Sequence, residues 1–204
     1  SSGAHANSRA GVAAFTTSTG YGIAKYDNPE ELSVSDRNNI GYQYTDCPLY
    51  WISVIYLNFA EAKAEMGSLT QDDLNNSINK LQARAGLPAM TTTPDADPAN
   101  NMGVSNLIWE IRRCRRCELI MDNWYRYWDL IRWHQLDKLD STKYPNTMLG
   151  ANVSNVPDCE EATKNGYIDA SDAQIRTYEA KHYFYPIPTT QLTLNKNMKQ
   201  NPGW

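Results

Sequence analysis

The stretch from Ile108 to Trp133 constrains the fold most, because it combines a helical repeat of apolar residues with dense charge and many aromatic rings. Its first half places apolar residues at spacings of three and four, which is typical of one face of an α-helix. These residues are Leu107, Ile111, Cys114, Cys117 and Met121. The second half adds Trp124, Tyr127, Trp128, Ile131 and Trp133. So much aromatic surface predicts two helices that fold back at Asp122 and Asn123 and pack against another large element.

A second helical hairpin is predicted earlier in the chain. Apolar residues recur at helical spacing from Leu49 to Met66, and Gly67 then supplies a residue that can end a helix with positive φ. Thr70, followed three residues later by an acidic side chain, is typical of a helix start. We therefore expect helical hairpins at about 49–85 and 105–138, similar in size to tetratricopeptide repeats and packed on each other.

Three motifs resemble the SusD/RagB family of nutrient-binding proteins. The first combines Arg115, Arg116, Glu118 and Leu119 with the Arg-Tyr-Trp-Asp-Leu-x-Arg-Trp run at 126–133. The second comprises Tyr-Leu-Asn-Phe-Ala-Glu-Ala at 56–62 and Ala-Arg-Ala-Gly-Leu-Pro at 83–88. The third is the ending, with Pro-Ile-Pro at 186–188 and Gln-Asn-Pro-Gly-Trp at 200–204. The motifs occur in the family's order along the chain.

The resemblance implies a mainly α fold, in which tetratricopeptide-like hairpins form a scaffold and long irregular loops carry the ligand site. It implies that residues 1–204 are the C-terminal domain of a longer chain, whose N-terminal part carries a lipid anchor in the outer membrane. The implied function is non-catalytic capture of oligo- or polysaccharides and their delivery to a SusC-like TonB-dependent transporter, with no cofactor. The alternative is a helical-repeat module that binds protein or takes up peptides, as RagB-like members do.

Candidate site residues divide into ligand contacts and scaffold. Tyr42 and Tyr44 lie in a predicted loop and are candidates for ligand binding, together with the polar loop at 140–180. The scaffold candidates are charged or aromatic residues placed to pair with one another, namely Glu61, Arg115, Arg116, Glu118, Arg126, Trp128, Asp129 and Trp133. We expect at least one of Arg115, Arg116 and Arg126 to be buried and bidentate to an acid, because a desolvated charge needs a partner.

Other functions find little support in the composition. The net charge of −4 gives no electrostatic reason for nucleic-acid binding. Cys114 and Cys117 lie on the predicted apolar stripe, so we interpret them as small buried residues without a metal. The three histidines are far apart in sequence, and an enzyme would need catalytic groups that converge.

Overall fold

The computed structural model describes residues 19–21, 25, 49–156, 163–171 and 174–204. The chain divides into two compact units, one formed by residues 47–133 and the other by residues 1–46 with 134–204. The first is called the helical unit and the second the mixed unit. Tyr42 and Tyr44 lie outside the described residues, and their expected role in ligand binding stays a prediction.

The helical unit contains five helices in its described residues, and they lie within the two regions where hairpins were predicted. They are α1 (Ile52–Glu65), α2 (Gln71–Asn75), α3 (Ile78–Arg84), α4 (Asn106–Glu118) and α5 (Tyr125–Arg132). The region expected to form one helix at 70–85 is divided between α2 and α3 at Asn76 and Ser77. None of the described helices is long and apolar enough to cross a membrane.

The predicted helix boundaries agree with the capping groups. The Thr70 hydroxyl accepts a hydrogen bond from the Asp73 amide, and the Asp73 carboxylate accepts one from the Thr70 amide at 2.9 Å. Ser105 caps α4 through the amide of Ile108. Gly67 follows α1 with a φ of +67°, a conformation that a side chain would disfavour. Local chemistry therefore fixes where these helices begin and end.

The core of the helical unit lies where α1 faces α3 and α4. Leu57, Ile78 and Ile111 are fully buried there. The sequence predicted a largely buried helix with two apolar sides, one at Ile52, Ile55, Phe59, Ala62 and Met66 and the other at Trp51, Val54 and Leu57. Only the second side carries core residues, whereas Ile52 and Ile55 are exposed. Apolar residues surround α1, and periodicity alone cannot choose which side meets a neighbour.

The mixed unit contains a three-stranded antiparallel sheet that the sequence did not predict. Its strands are β1 (Leu149–Asn152), β2 (Thr163–Lys164) and β3 (Tyr167–Asp169), in the order β1-β3-β2. Three short 3-10 helices (Leu136–Leu139, Pro145–Met148 and Ala180–Tyr183) and α6 (Thr189–Leu194) complete its described elements. We expected residues 140–180 to be irregular, and the sheet was missed. Strands of two to four residues are too short to show the alternation of polar and apolar side chains by which a strand is recognised in a sequence.

The C-terminal motif holds the preceding proline-containing segment in place. The side-chain amide of Gln200 donates to the Ile187 carbonyl at 2.9 Å and accepts from the Ile187 amide at 2.7 Å. The Asn201 side chain donates to the Tyr185 carbonyl at 2.6 Å, and the Trp204 indole donates to the Phe184 carbonyl at 2.9 Å. These bonds give the polar residues of the ending a structural role.

Asn79 offers a test of how strongly one buried amide stabilises the helical unit. Its oxygen accepts from the Met90 amide at 2.7 Å and its nitrogen donates to the Met90 carbonyl at 3.1 Å, where both residues are buried. Replacing Asn79 by Ala should lower the free energy of unfolding by roughly 1–3 kcal/mol, because the buried Met90 amide loses its acceptor while the Met90 carbonyl keeps only the hydrogen bond from Gln71. Urea denaturation measures this. The Asn197→Ala variant is the control, because Asn197 is exposed, and it should change the free energy of unfolding by less than about 0.5 kcal/mol.

Candidate functional site

A cleft of about 220 Å³ opens in the mixed unit beside the small sheet. Its walls come from the 3-10 helix Pro145–Met148, from the sheet and from the chain segments on either side of them. The lining residues are Ser141, Thr142, Pro145, Met148, Leu149, Lys164, Asp169, Ser171, Gln174 and Ile175. Ligand pockets for drug-sized molecules measure roughly 300–1,000 Å³. The cleft therefore suits a group about the size of one sugar ring.

The polar groups of the cleft differ in whether they already form hydrogen bonds with described residues of the protein. The Asp169 carboxylate accepts hydrogen bonds from the amide and the hydroxyl of Ser171, at 3.0 and 2.6 Å. The side chains of Lys164 and Gln174, by contrast, make no hydrogen bond or ion pair with any residue that the structure describes. An ammonium and an amide are thus available to hydroxyl or carboxylate groups of a ligand.

Asp140 fixes two edges of the cleft to each other. Its carboxylate accepts hydrogen bonds from the Thr142 hydroxyl and amide and, 38 residues further along the chain, from the Tyr178 amide at 3.1 Å. The Ser141 amide adds a bond to the Arg176 carbonyl at 2.9 Å. The hydrogen bonds from Thr142 and then from the Tyr178 amide lower the pKa of Asp140 to about 2. The ionised carboxylate therefore organises the segments that carry Thr142 and Gln174.

The apolar part of the cleft is aliphatic. Pro145, Met148, Leu149 and Ile175 supply it, and no aromatic side chain is among its described lining residues. The sequence had identified the 140–180 loop as a source of ligand contacts but not these residues. The one sequence feature that most of the lining residues share is that they lie in a long polar segment. What brings them together is pairing between distant parts of the chain, which a motif does not reveal.

A second cluster of charged residues lies in the helical unit and is centred on Glu61. Its carboxylate accepts from Arg112 Nε at 3.1 Å, from Trp133 Nε1 at 2.6 Å and from the guanidinium of Arg132. Glu61, Arg112 and Trp133 are all buried, and the Arg112 guanidinium stacks over the Trp133 ring at 4.6 Å. This arrangement confirms the expectation that Glu61 pairs with an arginine of the second hairpin.

Arg115 extends the same cluster. It is buried, and its Nε donates to Asp129 at 2.6 Å while its Nη1 donates to the Asn58 side chain at 2.8 Å. Arg132 Nε also donates to Asp129, at 2.9 Å. The expected buried arginine is therefore Arg115, but the expectation that it would be bidentate to one acid is wrong. Its donors are divided between α5 and α1, so it ties three helices together.

The remaining scaffold candidates lie outside this buried cluster. Glu118 pairs with Arg84 of α3 at 2.6 Å, which links α3 to α4. Trp128 is 54% exposed, and its expected role in the scaffold stays a prediction. The next two residues of α5, Asp129 and Leu130, are buried. Arg116 and Arg126 make no hydrogen bond or ion pair with a described residue.

The cysteines and histidines do not form a reactive site in the described residues. Cys114 is half-buried, and burial followed by the charge of Glu118 raises the pKa of its thiol to about 11. Cys117 is exposed, which corrects the expectation that both lie buried, because α4 turns Arg112 and Arg115 inward instead. His182 Nδ1 accepts from the Glu179 amide at 3.0 Å. No group of three or more potential metal ligands occurs in the ranges described.

Comparison with known proteins gives one family. A sequence model of the SusD family matches residues 2–204. A solved SusD-like protein from Bacteroides fragilis NCTC 9343 is 25% identical, with a TM-score of 0.51 over 74% of this chain. A second solved structure, BT4246, is 28% identical, with a TM-score of 0.52 over 74% of this chain. The chain spans only 25% and 23% of those proteins. No curated protein matches the sequence significantly.

Replacing Arg115 by Met tests whether the buried cluster stabilises the helical unit. Asn58 and Asp129 would lose a donor inside the protein, and breaking a buried pair costs roughly 3–5 kcal/mol. Chemical denaturation followed by circular dichroism should show that loss. Arg113→Met is the matched control, since Arg113 is half-exposed and pairs within its own helix with Glu110. The free energy of unfolding of Arg113→Met should fall by less than about 1 kcal/mol. Equal losses in the two variants would contradict the scaffold role of Arg115.

Replacing Asp140 by Ala tests how the cleft is organised. The folded-state pKa of about 2 lies below the ordinary value of 3.8, so the ionised carboxylate stabilises the fold above about pH 4. That stabilisation is lost as the pH falls through about 2. Calorimetry should therefore find a lower Tm for Asp140→Ala at neutral pH, with a difference from the unmodified protein that shrinks between pH 4 and 2. A Tm difference that stays constant between pH 4 and 2 would show that the ionised Asp140 carboxylate does not stabilise the fold.

Proposed function

This chain belongs to the SusD family, and we propose that it is part of a protein that captures glycans for nutrient uptake without cleaving them. The match of the family model over residues 2–204 is the observation that carries the proposal. Because the chain spans about a quarter of the solved relatives, binding by the whole protein involves regions beyond the cleft.

We assign a glycan contact to the cleft beside the sheet. A sugar presents hydroxyl groups around its edge and an apolar C–H surface on its face. Lys164 and Gln174, whose side chains bond to no described residue, supply donors for hydroxyl groups, while Met148, Leu149 and Ile175 supply an apolar wall. The size of the cleft suits one ring of a longer chain, with the rest of the glycan extending over the surface.

Binding without cleavage agrees with the acidic groups of the cleft. Most glycoside hydrolases use two carboxylates that flank the scissile bond. The described lining of the cleft contains one carboxylate, that of Asp169, and Ser171 donates two hydrogen bonds to one of its oxygens, Oδ1. A carboxylate held in this way is a rigid acceptor, which suits recognition of a hydroxyl group.

The remaining parts of the proposal follow from family membership. SusD-family proteins are lipid-anchored at the outer surface of the outer membrane and hand their ligand to a SusC-like TonB-dependent transporter. We propose the same location and partner for the whole protein. RagB-like peptide uptake is the competing function, and a binding experiment distinguishes the two because their ligands differ.

Titration calorimetry with neutral oligosaccharides, acidic oligosaccharides and short peptides tests the proposal. Glycans should bind, and the double change Lys164→Ala and Gln174→Ala should weaken binding by about tenfold, the loss of one or two hydrogen bonds to a ligand. Lys196→Ala is the control, because Lys196 is exposed and lies outside the cleft. Binding of peptides alone would support the competing function. Glycan binding that the double change leaves intact would move the contact away from the cleft.

A further inference from the structure

The indole of Trp204, in the mixed unit, is held in one orientation. Its Nε1 donates to the Phe184 carbonyl at 2.9 Å and to the Lys181 carbonyl at 3.2 Å. Gly203 has a φ of +89°, and a Cβ atom there would lie 2.9 Å from the Lys181 Cβ. The glycine therefore lets Trp204 approach the 3-10 helix Ala180–Tyr183 closely. Trp204 is still 47% exposed, so the bonded indole presents a rigid apolar surface to the solvent.

Polar side chains lie beside this indole. Lys181 Nζ is 5.1 Å from the centre of the indole ring, and the centre of the His182 ring is 5.9 Å away at an interplanar angle of 60°. Lys181 Nζ also pairs with the exposed Glu179 carboxylate at 3.3 Å. An ammonium, an imidazole and a carboxylate are thus gathered around one aromatic ring.

The His182 imidazole supplies a hydrogen-bond donor on this surface. Its Nδ1 accepts from the Glu179 amide at 3.0 Å, so the neutral ring carries its proton on Nε2. Nε2 forms no hydrogen bond with any residue that the structure describes. Together with the Glu179 carboxylate, the surroundings of the indole therefore offer both donors and an acceptor.

A sugar ring matches this combination better than an anion or a purely apolar ligand does. An anion would meet the Glu179 carboxylate, which already neutralises Lys181. A purely apolar ligand would cover the polar groups without giving them partners, and that is costly. A sugar has C–H groups on its face and hydroxyl groups around its edge, and each hydroxyl can donate and accept. It can therefore use the indole and the polar groups at the same time.

Contacts through Tyr178 connect this surface with the cleft. The centre of the Tyr178 ring lies 6.2 Å from that of His182. The Tyr178 amide donates to the Asp140 carboxylate, which also accepts from the cleft residue Thr142. The indole and the cleft are thus parts of one compact unit, the condition for a single glycan chain to contact both.

We propose that Trp204, Lys181 and His182 form a second glycan contact, at which the face of a neutral pyranose packs on the indole. The inference rests on the proposed glycan function and gives it a substrate class. Two contacts on one unit favour glycan chains of several sugars over single sugars, because binding at the first contact holds the chain near the second. Since the indole is already oriented by its hydrogen bonds, little conformational freedom is lost when the sugar binds.

Nuclear magnetic resonance locates the contact directly. The indole N–H signal of Trp204 is the one that disappears from the spectrum in the Trp204→Phe variant, and that of Trp124 is assigned in the same way. Titration with cellotetraose, a neutral chain of pyranoses, should shift the Trp204 signal. The signal of Trp124, which is 80% exposed but lies in the helical unit, should not move. A Trp204 signal that stays in place at saturating cellotetraose would overturn the inference.

Calorimetry separates a binding role of the ring from a structural role of its N–H group. Trp204→Phe and Trp204→Leu both remove the hydrogen bonds to Phe184 and Lys181, but only Trp204→Phe keeps an aromatic face. Cellotetraose affinity should fall by less than about threefold in Trp204→Phe and by about tenfold in Trp204→Leu. Trp124→Leu removes a more exposed indole and should bind normally. Equal losses in the two Trp204 variants would mean that the N–H bonds alone matter, and would contradict the sugar contact.

The inference and the proposed function fail in different ways. Cellotetraose affinity that depends on Lys164 and Gln174 but not on Trp204 would overturn the indole contact and leave the cleft as a glycan site. Affinity that depends on Trp204 but not on the two cleft residues would support the indole contact and remove the cleft from the site. If neither cellotetraose nor any other oligosaccharide binds, both proposals are wrong.

Discussion

A buried carboxylate, that of Glu61, sets the arrangement of the helical unit. An ion removed from water is tolerated only when donors surround it, and Glu61 receives them from Arg112, Arg132 and Trp133. None of these donors belongs to the helix that carries Glu61, so α4 and the end of α5 must lie where their side chains can reach it. Apolar residues of α1 and α4 pack in one core together with those of α2 and α3, whereas the carboxylate constrains the register of α1 against α4.

The sequence predicted the helical unit well because its signals are local. Capping groups at Thr70 and Ser105 fixed helix starts, and the pairing of Glu61 with the second hairpin followed from the cost of isolated charge. Which arginines turn inward was not predictable. Arg112 and Arg115 point towards α1 where the apolar pattern had favoured Cys117, because a guanidinium that meets a carboxylate can occupy a buried position that hydrophobicity assigns to another residue.

The candidate cleft, unlike the helical unit, depends on contacts that local sequence signals do not reveal. Its position in the 140–180 loop was an expectation, but its lining depends on bonds between distant residues, such as that from the Tyr178 amide to Asp140. The strands beside it are too short to leave a pattern in the sequence. Gly150 illustrates the same limit, since a Cβ atom there would lie 2.2 Å from the Thr19 carbonyl oxygen, over a hundred residues earlier. The sequence records the glycine but not its reason.

The environment of Trp133 has an optical consequence. Its indole N–H donates to the Glu61 carboxylate, and two guanidiniums, those of Arg112 and Arg132, lie 4.6 and 4.7 Å from the centre of its ring. Indole emission responds to charge and solvent near the ring, and Trp133 is 7% exposed whereas Trp124 is 80% exposed. Selective quenching by a water-soluble quencher would separate these two fluorophores. The chain has six tryptophans, so the part of the protected emission that a Trp133→Phe variant loses would serve as a spectroscopic probe of whether the three helices remain assembled around Glu61.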